Sequence, residues 1–463
     1  MNVSEKVKNA YKSNSITKYV SLSFPEIDCE IGMKQIYFES MKMSESILES
    51  DSIEFVGCIA SKFSIQVQAL QEDVKGKKIV VTIHTDGTED EPIILFNGIV
   101  DSAIKQSNKQ IKEITAYDEL YTKGNTEVSA WYKSLTFPIT LRDLRDSLFQ
   151  YIGIQQVDVS LPNDSIQIDR QYDPNSLQAL SVIKAICQVN GAFGIINRDG
   201  CFEYRILGDI EDEEGVYPSE SLFPSEDLFP EDPTIKLAAA ERYAESIDAE
   251  HFSFYRSISY EEFEVKPVDK LTIRQSENDA GVTCGSGTNN YIIQGNMFTY
   301  GFSADVLQTI ANNIYPNVRG FSYIPFTSQN NGLPFLECGL DAVSYTMIDY
   351  EQSTPENIVY EQKSFYILSR EMSGIQALRD SYSANGEEYQ TEFVTDLQTQ
   401  IDILRQNEIR QQVEEYTYPK EELDSMFADL GEKGVVAVVS CDNPPETQVP
   451  NTIYLIQGEV FII

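Results

Sequence analysis

Basic residues are in short supply in this 463-residue chain: 35 Lys and Arg face 73 Asp and Glu, a net charge of −38. A field of that sign repels nucleic acid and anionic membranes. It serves either as a solubility device or as a surface past which a polyanion slides without sticking. Composition does not separate the two. Histidine is scarcer still, at two residues. His84 and His251 fall in predicted strands without H-E-x-x-H or a neighbouring acid–base motif, and read as ordinary sheet residues. No G-x-S-x-G is present, and carboxylates are too numerous for any glycosidase-like pair to stand out. The seven cysteines, Cys29, Cys58, Cys187, Cys201, Cys284, Cys338 and Cys441, are odd in number and never form C-x-x-C. That argues against a zinc site or a disulfide framework and for reduced, buried thiols. No apolar run reaches the roughly 18 residues that a membrane span requires. The opening MNVSEKVKNAYKSNS lacks the apolar core of a secretory signal, so synthesis in the cytoplasm without membrane insertion is expected. No enzyme, cofactor or metal site is expected.

What is present is β-forming. Hydrophobic residues make up 41% and aromatics 11%, with 26 Tyr against one Trp, a balance suited to sheet surfaces and interfaces. The length implies two to four domains. The most telling stretch is 91–121, EPIILFNGIVDSAIKQSNKQIKEITAYDELY. Residues 93–104 form an almost wholly apolar strand in which Gly98 marks a bulge or bend. A second strand, 111–117, alternates Ile114 and Ala116 with Glu113, Thr115 and Tyr117. Asp118 then caps a helical turn carrying Leu120 and stopping at Gly124. With 18–24, the runs between 35 and 70, and 78–84, residues 17–123 hold about seven short strands, as in a sandwich or barrel.

The pattern changes after Gly124. Thr140 caps a helix over 141–151 ended by Gly153, and Ser176 caps another over 177–189. The hairpin FGIINRDGCFEYRIL turns at Asp199-Gly200. Residues 124–207 thus read as a small α+β module, and 208–251 as an acidic loop and return segment. The loop's doubled SESLFP/SEDLFP phrase contains no Lys or Arg, and its carboxylate spacing fails the EF-hand template. β pattern returns over 252–386, with a helix at 304–315 ended by Pro316 and a strand pair bent at Gly339. Residues 365–386 are similar in design to 111–124: a strand, a helical turn, an aromatic and a closing glycine. Gly98, Tyr117, Asp118 and Leu120 are therefore expected to be structural in the first β region. Gly339, Ile375, Leu378 and Tyr382 are their counterparts in the second. A polar helix is predicted from 391 to 413, where Val394, Leu397, Ile401 and Leu404 keep a/d spacing for two heptads and could join copies of the chain. A small β extension, 419–463, closes the sequence.

FESMKMSESILESDSIEFVGCIASKFSIQV, ILFNGIVDS…ITAYDELY, YEEFEVKPVDKLTIRQ…NNYIIQGNMF and ILSREMSGIQALRDSYSANG occur in that order. Together they resemble the tail-tip hub proteins of phages and prophages of Gram-positive bacteria, relatives of the baseplate hub family of contractile-tailed phages. The resemblance spans roughly 17–390. It implies a mainly β chain with two tube-like antiparallel β-barrels, 1–123 and 252–386, and the α+β module lying outside them. The polar helix (387–418) and a β extension like those of fibre and tip proteins follow. It further implies a homotrimer in pseudo-sixfold order in the virion tail, assembled in the host bacterial cytoplasm. That ring would cap the tail tube or a distal tail protein ring. Tape-measure protein or DNA would pass through without specific binding, and a fibre or tip protein would dock at the C-terminus. An acidic pore lined by Asp and Glu of one barrel face is the expected use of the net charge. A host-surface adhesin, favoured by the tyrosines, and a tail-associated wall hydrolase are the competing expectations.

Overall fold

The computed structural model describes residues 3–396 apart from 14, 50–56, 106–109, 170–175, 209, 212–246 and a few one- to three-residue gaps after 252. Beyond 396 it describes 437–441, 452–456 and 459–462. The chain divides into two compact units, Met1–Leu397 and Gln398–Ile463. It is mainly β, with strands distributed over several sheets.

Seven strands arise between residues 18 and 117, as the alternation predicts: Lys18–Phe24, Cys29–Ile31, Lys42–Ser46, Lys62–Gln68, Lys78–Thr85, Ile93–Lys105 and Ile111–Tyr117. Period-two patterning sends Phe63, Ile65 and Val67 into the core while Ser64 and Gln66 stay half-exposed. Gly98 is not itself the bulge. It keeps register with Ile79, and the ladder slips on either side of it, at Val81/Thr82 and at Val100/Ser102. Its glycine is required by close approach, since a Cβ there would collide with the Tyr117 carbonyl and the Phe96 ring.

These strands do not end in a sheet of their own. Lys42–Ser46 pairs antiparallel with Ser369–Ser373, placing Ser44 opposite Glu371. The result is an eleven-stranded sheet in which Ser257–Tyr260, Phe326–Asn331, Arg379–Ala384 and Ser369–Ser373 continue the ladder of the first region. Its end strands are Ser257–Tyr260 and Cys29–Ile31.

Two four-stranded sheets accompany this one. One contains Ile247–Phe252 parallel to Ala342–Ile348. In the other, Lys270–Arg274, Asn290–Gln294 and Glu392–Asp396 run parallel. The glycine-rich 281–290 segment contributes a strand to it, Val282–Gly285, rather than a plain loop. Val394 likewise lies in a strand, opposite Ile292, and not on a helix. The aromatic and β-branched run Phe393-Val394-Thr395 meets an available edge there, which outweighs its a/d spacing. Leu397, Ile401 and Leu404 fall outside the described residues.

The intervening module holds the helices Ser129–Ser134, Leu141–Ile152 and Ala179–Gln188 and the hairpin Phe193–Ile196/Phe202–Arg205. Thr140 caps the second helix by accepting from the Asp143 N–H, and Gly153 ends it in a left-handed conformation. Ser176 is not a cap: its hydroxyl donates to Glu127, and the third helix starts at Ala179. The helix Ala304–Val318 runs through Pro316 to Val318, since a proline in the last turn forfeits a single hydrogen bond. In the C-terminal unit, Ala437–Cys441, Thr452–Ile456 and Glu459–Ile462 form a three-stranded sheet.

Candidate functional site

The place where the molecule's parts converge is the seam between Lys42–Ser46 and Ser369–Ser373. Five residue pairs form its ladder, and the Ser46 and Ser369 hydroxyls meet at 2.6 Å. The turn following Ser373 is held by the first region as well. The Glu39 carboxylate accepts from the Ile375 N–H at 2.5 Å and the Gln376 N–H at 2.9 Å, and the Gly374 N–H donates to Met41. Ile375 and Leu378 are buried beneath this turn.

Behind the seam lies a segment gripped by three buried arginines, Leu333–Gly339. Arg370 donates to the Leu333 carbonyl at 2.8 Å and to that of Leu336. Arg198 donates to the Pro334 and Leu336 carbonyls, and Arg205 to that of Cys338. Arg198 and Arg205 come from the α+β module, Arg370 from the sheet. A guanidinium offers five N–H groups in a rigid fork, so one side chain can satisfy several loop carbonyls. Each arginine requires a counter-charge to be buried. Arg370 has a bidentate partner in Asp380, at 3.0 and 2.8 Å, and Tyr382 donates to the same carboxylate at 2.9 Å. Glu337 takes Arg205 at 2.8 Å, and Glu45 lies 3.8 Å from Arg370. Burial works against the Glu337 carboxylate, but the charges of Arg198 and Arg205 outweigh it and hold its pKa down at about 2. Gly339 closes the segment with a φ of +73° and sits against Ile47.

Asp118 occupies a different environment. It is buried, accepts from the Ser61 N–H at 2.6 Å and the Leu120 N–H at 2.9 Å, and has no ion-pair partner among the described residues. Burial pushes its pKa up to about 7 in spite of those backbone donors. Leu120 is buried beside it, and Tyr117 stays half-exposed, stacked on Tyr121 at 4.1 Å between centroids. Tyr382, by contrast, is fully buried.

The expected likeness of 365–386 to 111–124 does not extend to the backbone. Residues 369–384 form a strand–turn–strand hairpin, whereas 111–123 run from strand into helix. The Gly339 region is likewise a sequence of turns leading into the single strand Ala342–Ile348, not a bent strand pair. The second difference follows from the arginine cluster, which satisfies carbonyls of the 333–339 segment that a ladder would otherwise have to pair.

The outward face of the large sheet is rich in hydroxyls: Ser257, Ser381, Ser44, Ser64 and Thr115 all lie on it by register. Ser21 and Thr82 hydrogen-bond across it at 2.7 Å. Carboxylates do not dominate there, for Glu30, Glu113 and Glu371 are matched by Lys42, Lys62, Lys78 and Arg379. Cations and carboxylates are thus mixed on this face. The acidic stretch 212–235 lies outside the described residues. No cluster of His, Cys, Asp and Glu suited to a metal ion occurs among the described residues. No helix among them is long and apolar enough to cross a membrane. His251 hydrogen-bonds Ser344 at 3.1 Å and His84 stacks on Tyr19.

No family model matches the sequence, and no curated protein matches it. Among solved structures it is similar to a tail protein from Neisseria meningitidis MC58, at 12% identity over 81% of this chain and 98% of that one, TM-score 0.44. It is also similar to a 43 kDa tail protein of prophage MuSo2 from Shewanella oneidensis, at 10% identity over 80% and 98%, TM-score 0.45. A third is the prophage tail protein gp18 from Listeria monocytogenes EGD-e, at 12% identity over 80% and 95%, TM-score 0.42.

Proposed function

We propose that this chain is a non-catalytic structural hub of a phage or phage-like tail tip. Three copies form a pseudo-hexameric ring that caps the tail tube, each supplying two tube-like strand regions. The ring leaves a channel for DNA or tape-measure protein and offers a platform for fibre or tip proteins at its C-terminal extension. One observation carries the reading beside the phrases in the sequence. Two strand regions form one sheet through strands more than 300 residues apart in the chain, Lys42–Ser46 and Ser369–Ser373, with a hydroxyl-rich face and, among the described residues, unpaired end strands. Such an arc suits a segment of a ring, because neighbouring copies can cover the edges that an isolated sheet leaves exposed. Leu397, Ile401 and Leu404 are assigned to contacts between copies.

Sedimentation equilibrium of the purified chain tests the assembly. A mass three times the 52.3 kDa of one chain is expected, and a monomer at micromolar concentration contradicts it. Leu397→Asp with Ile401→Asp should weaken the trimer; an unchanged sedimentation coefficient removes those positions from the interface.

A further inference from the structure

The hydroxyl-rich face carries a concentration of positive charge that the composition hides. Lys42, Lys62, Arg256 and Arg379 border one open concavity of about 620 Å³ at the seam. All four are exposed, and none has a carboxylate partner among the described residues. Register explains their proximity. Arg379, Ser373, Lys42 and Ser64 stand side by side on four successive strands. Strands about 4.8 Å apart put the Arg379 and Lys42 backbones roughly 10 Å from each other. Lys62 is opposite Ser44 in the adjoining row. Glu371 is the exposed carboxylate in this lining. Asp380 also borders it, but its carboxylate is committed to Arg370 on the buried side.

We infer that this concavity binds the phosphodiester backbone of nucleic acid, without regard to base sequence. Apart from Glu371 and the Gln329 amide, its exposed groups are cations and small hydroxyls, the side chains that contact phosphate oxygens in sequence-independent binding. Met43 and Met372 border it but are buried beneath the sheet surface, so it offers no apolar pocket to anchor a peptide side chain. The chain's −38 opposes any polyanion at long range. At 0.1 M salt the Debye length is about 10 Å, so distant carboxylates are screened while direct contacts persist. The site lies within one chain and does not depend on the ring: it can fail while the trimer stands, or stand in a monomer.

The test is fluorescence anisotropy of a labelled duplex oligonucleotide titrated with the full chain at 0.05–0.2 M salt (roughly the range where screening is tuned). Four neutralised phosphates give log affinity against log salt a slope of about −3 to −4. Lys42→Glu with Arg379→Glu should weaken binding at least tenfold (about one decade for two lost contacts) and reduce the slope by about two. Lys34→Glu with Lys75→Glu makes the same change in net charge outside the concavity and should leave affinity within about twofold. If the reversed variant does not fold, Lys42→Gln with Arg379→Gln should still lower affinity and slope. Absence of binding by the parent chain overturns the inference. So does equal loss in the patch and control variants, or displacement of the oligonucleotide by poly-glutamate at lower concentration than by unlabelled DNA.

Discussion

The two strand regions solve the problem of a sheet interior in different ways. Most inward positions before residue 118 are filled by apolar side chains, as in Phe63-x-Ile65-x-Val67 and Ile79-x-Val81-x-Ile83, with Lys18, Thr85 and Lys112 buried at strand ends. In Phe326–Asn331 the inward positions are Phe326, Ser328 and Asn330. Ser328 and Asn330 share hydrogen bonds of 2.8–2.9 Å with the buried Tyr345 hydroxyl. On the neighbouring strands Arg370 alternates with Met372, and Asp380 with Tyr382, all four buried. The first region is held mainly by burial of apolar surface, and the second adds to such burial a set of polar groups that find partners inside. A buried polar group contributes only while its partner is present, so a single change in the second region also strands that partner.

The largest contrast is expected at Arg370. Arg370→Met strands the Asp380 carboxylate in the core and should cost about 3–5 kcal/mol at neutral pH. Phe63→Ala in the first region should cost a comparable 3–5 kcal/mol, mostly for the cavity, and leaves no charge without its partner. Adding Asp380→Asn to Arg370→Met should regain part of the first loss, and urea titrations of the three variants separate the two behaviours.

Glu337 sharpens the contrast. Its folded pKa of about 2 lies below the ordinary 4.5. The native state therefore gains stability that is complete above that ordinary value and disappears as pH falls toward 2. A shift of that size corresponds to about 3 kcal/mol. Glu337→Gln should remove this contribution and flatten the acid limb of a plot of stability against pH. Asp118, in the first region, has the opposite sign. With a folded pKa of about 7 against an ordinary 3.8, the native state binds the extra proton, and stability declines as pH rises between those values. Asp118→Asn should abolish that decline at a cost of about 1–2 kcal/mol from one weakened backbone contact. Thermal melts at intervals from pH 3 to 8 would show both slopes.

The smallest effects distinguish inward from outward serines. Ser328→Ala leaves Tyr345 and Asn330 short of a partner and should cost about 1–2 kcal/mol. Ser64→Ala, on the outward face, should stay within about 0.5 kcal/mol.

The same difference explains what could be read from the sequence. Strand 18–24 and the turn at Asp199-Gly200 were legible because apolar alternation and turn chemistry are local signals. FTSQNN was not legible as a strand: its inward serine and asparagine are indistinguishable from loop residues until Tyr345 arrives from elsewhere in the chain. Gly339 stood out through its residue type, whereas Arg198, Arg205 and Arg370 did not, since an isolated arginine ordinarily marks a solvated surface. One weak signal was available: Arg370 takes the inward position of S-R-E-M-S in a chain poor in basic residues. Val394 shows the reverse error, in which heptad spacing masked a strand that only the Asn290–Gln294 edge could reveal.

Hydrogen exchange, read by mass spectrometry on peptides spanning the seam, tests the union of the two regions most directly. A single sheet requires the amides of Lys42–Ser46 and Ser369–Ser373 to be protected to the same degree as those of Lys62–Gln68. Exchange of the two seam strands at loop rates, with Lys62–Gln68 still protected, would mean that the regions fold as separate sheets.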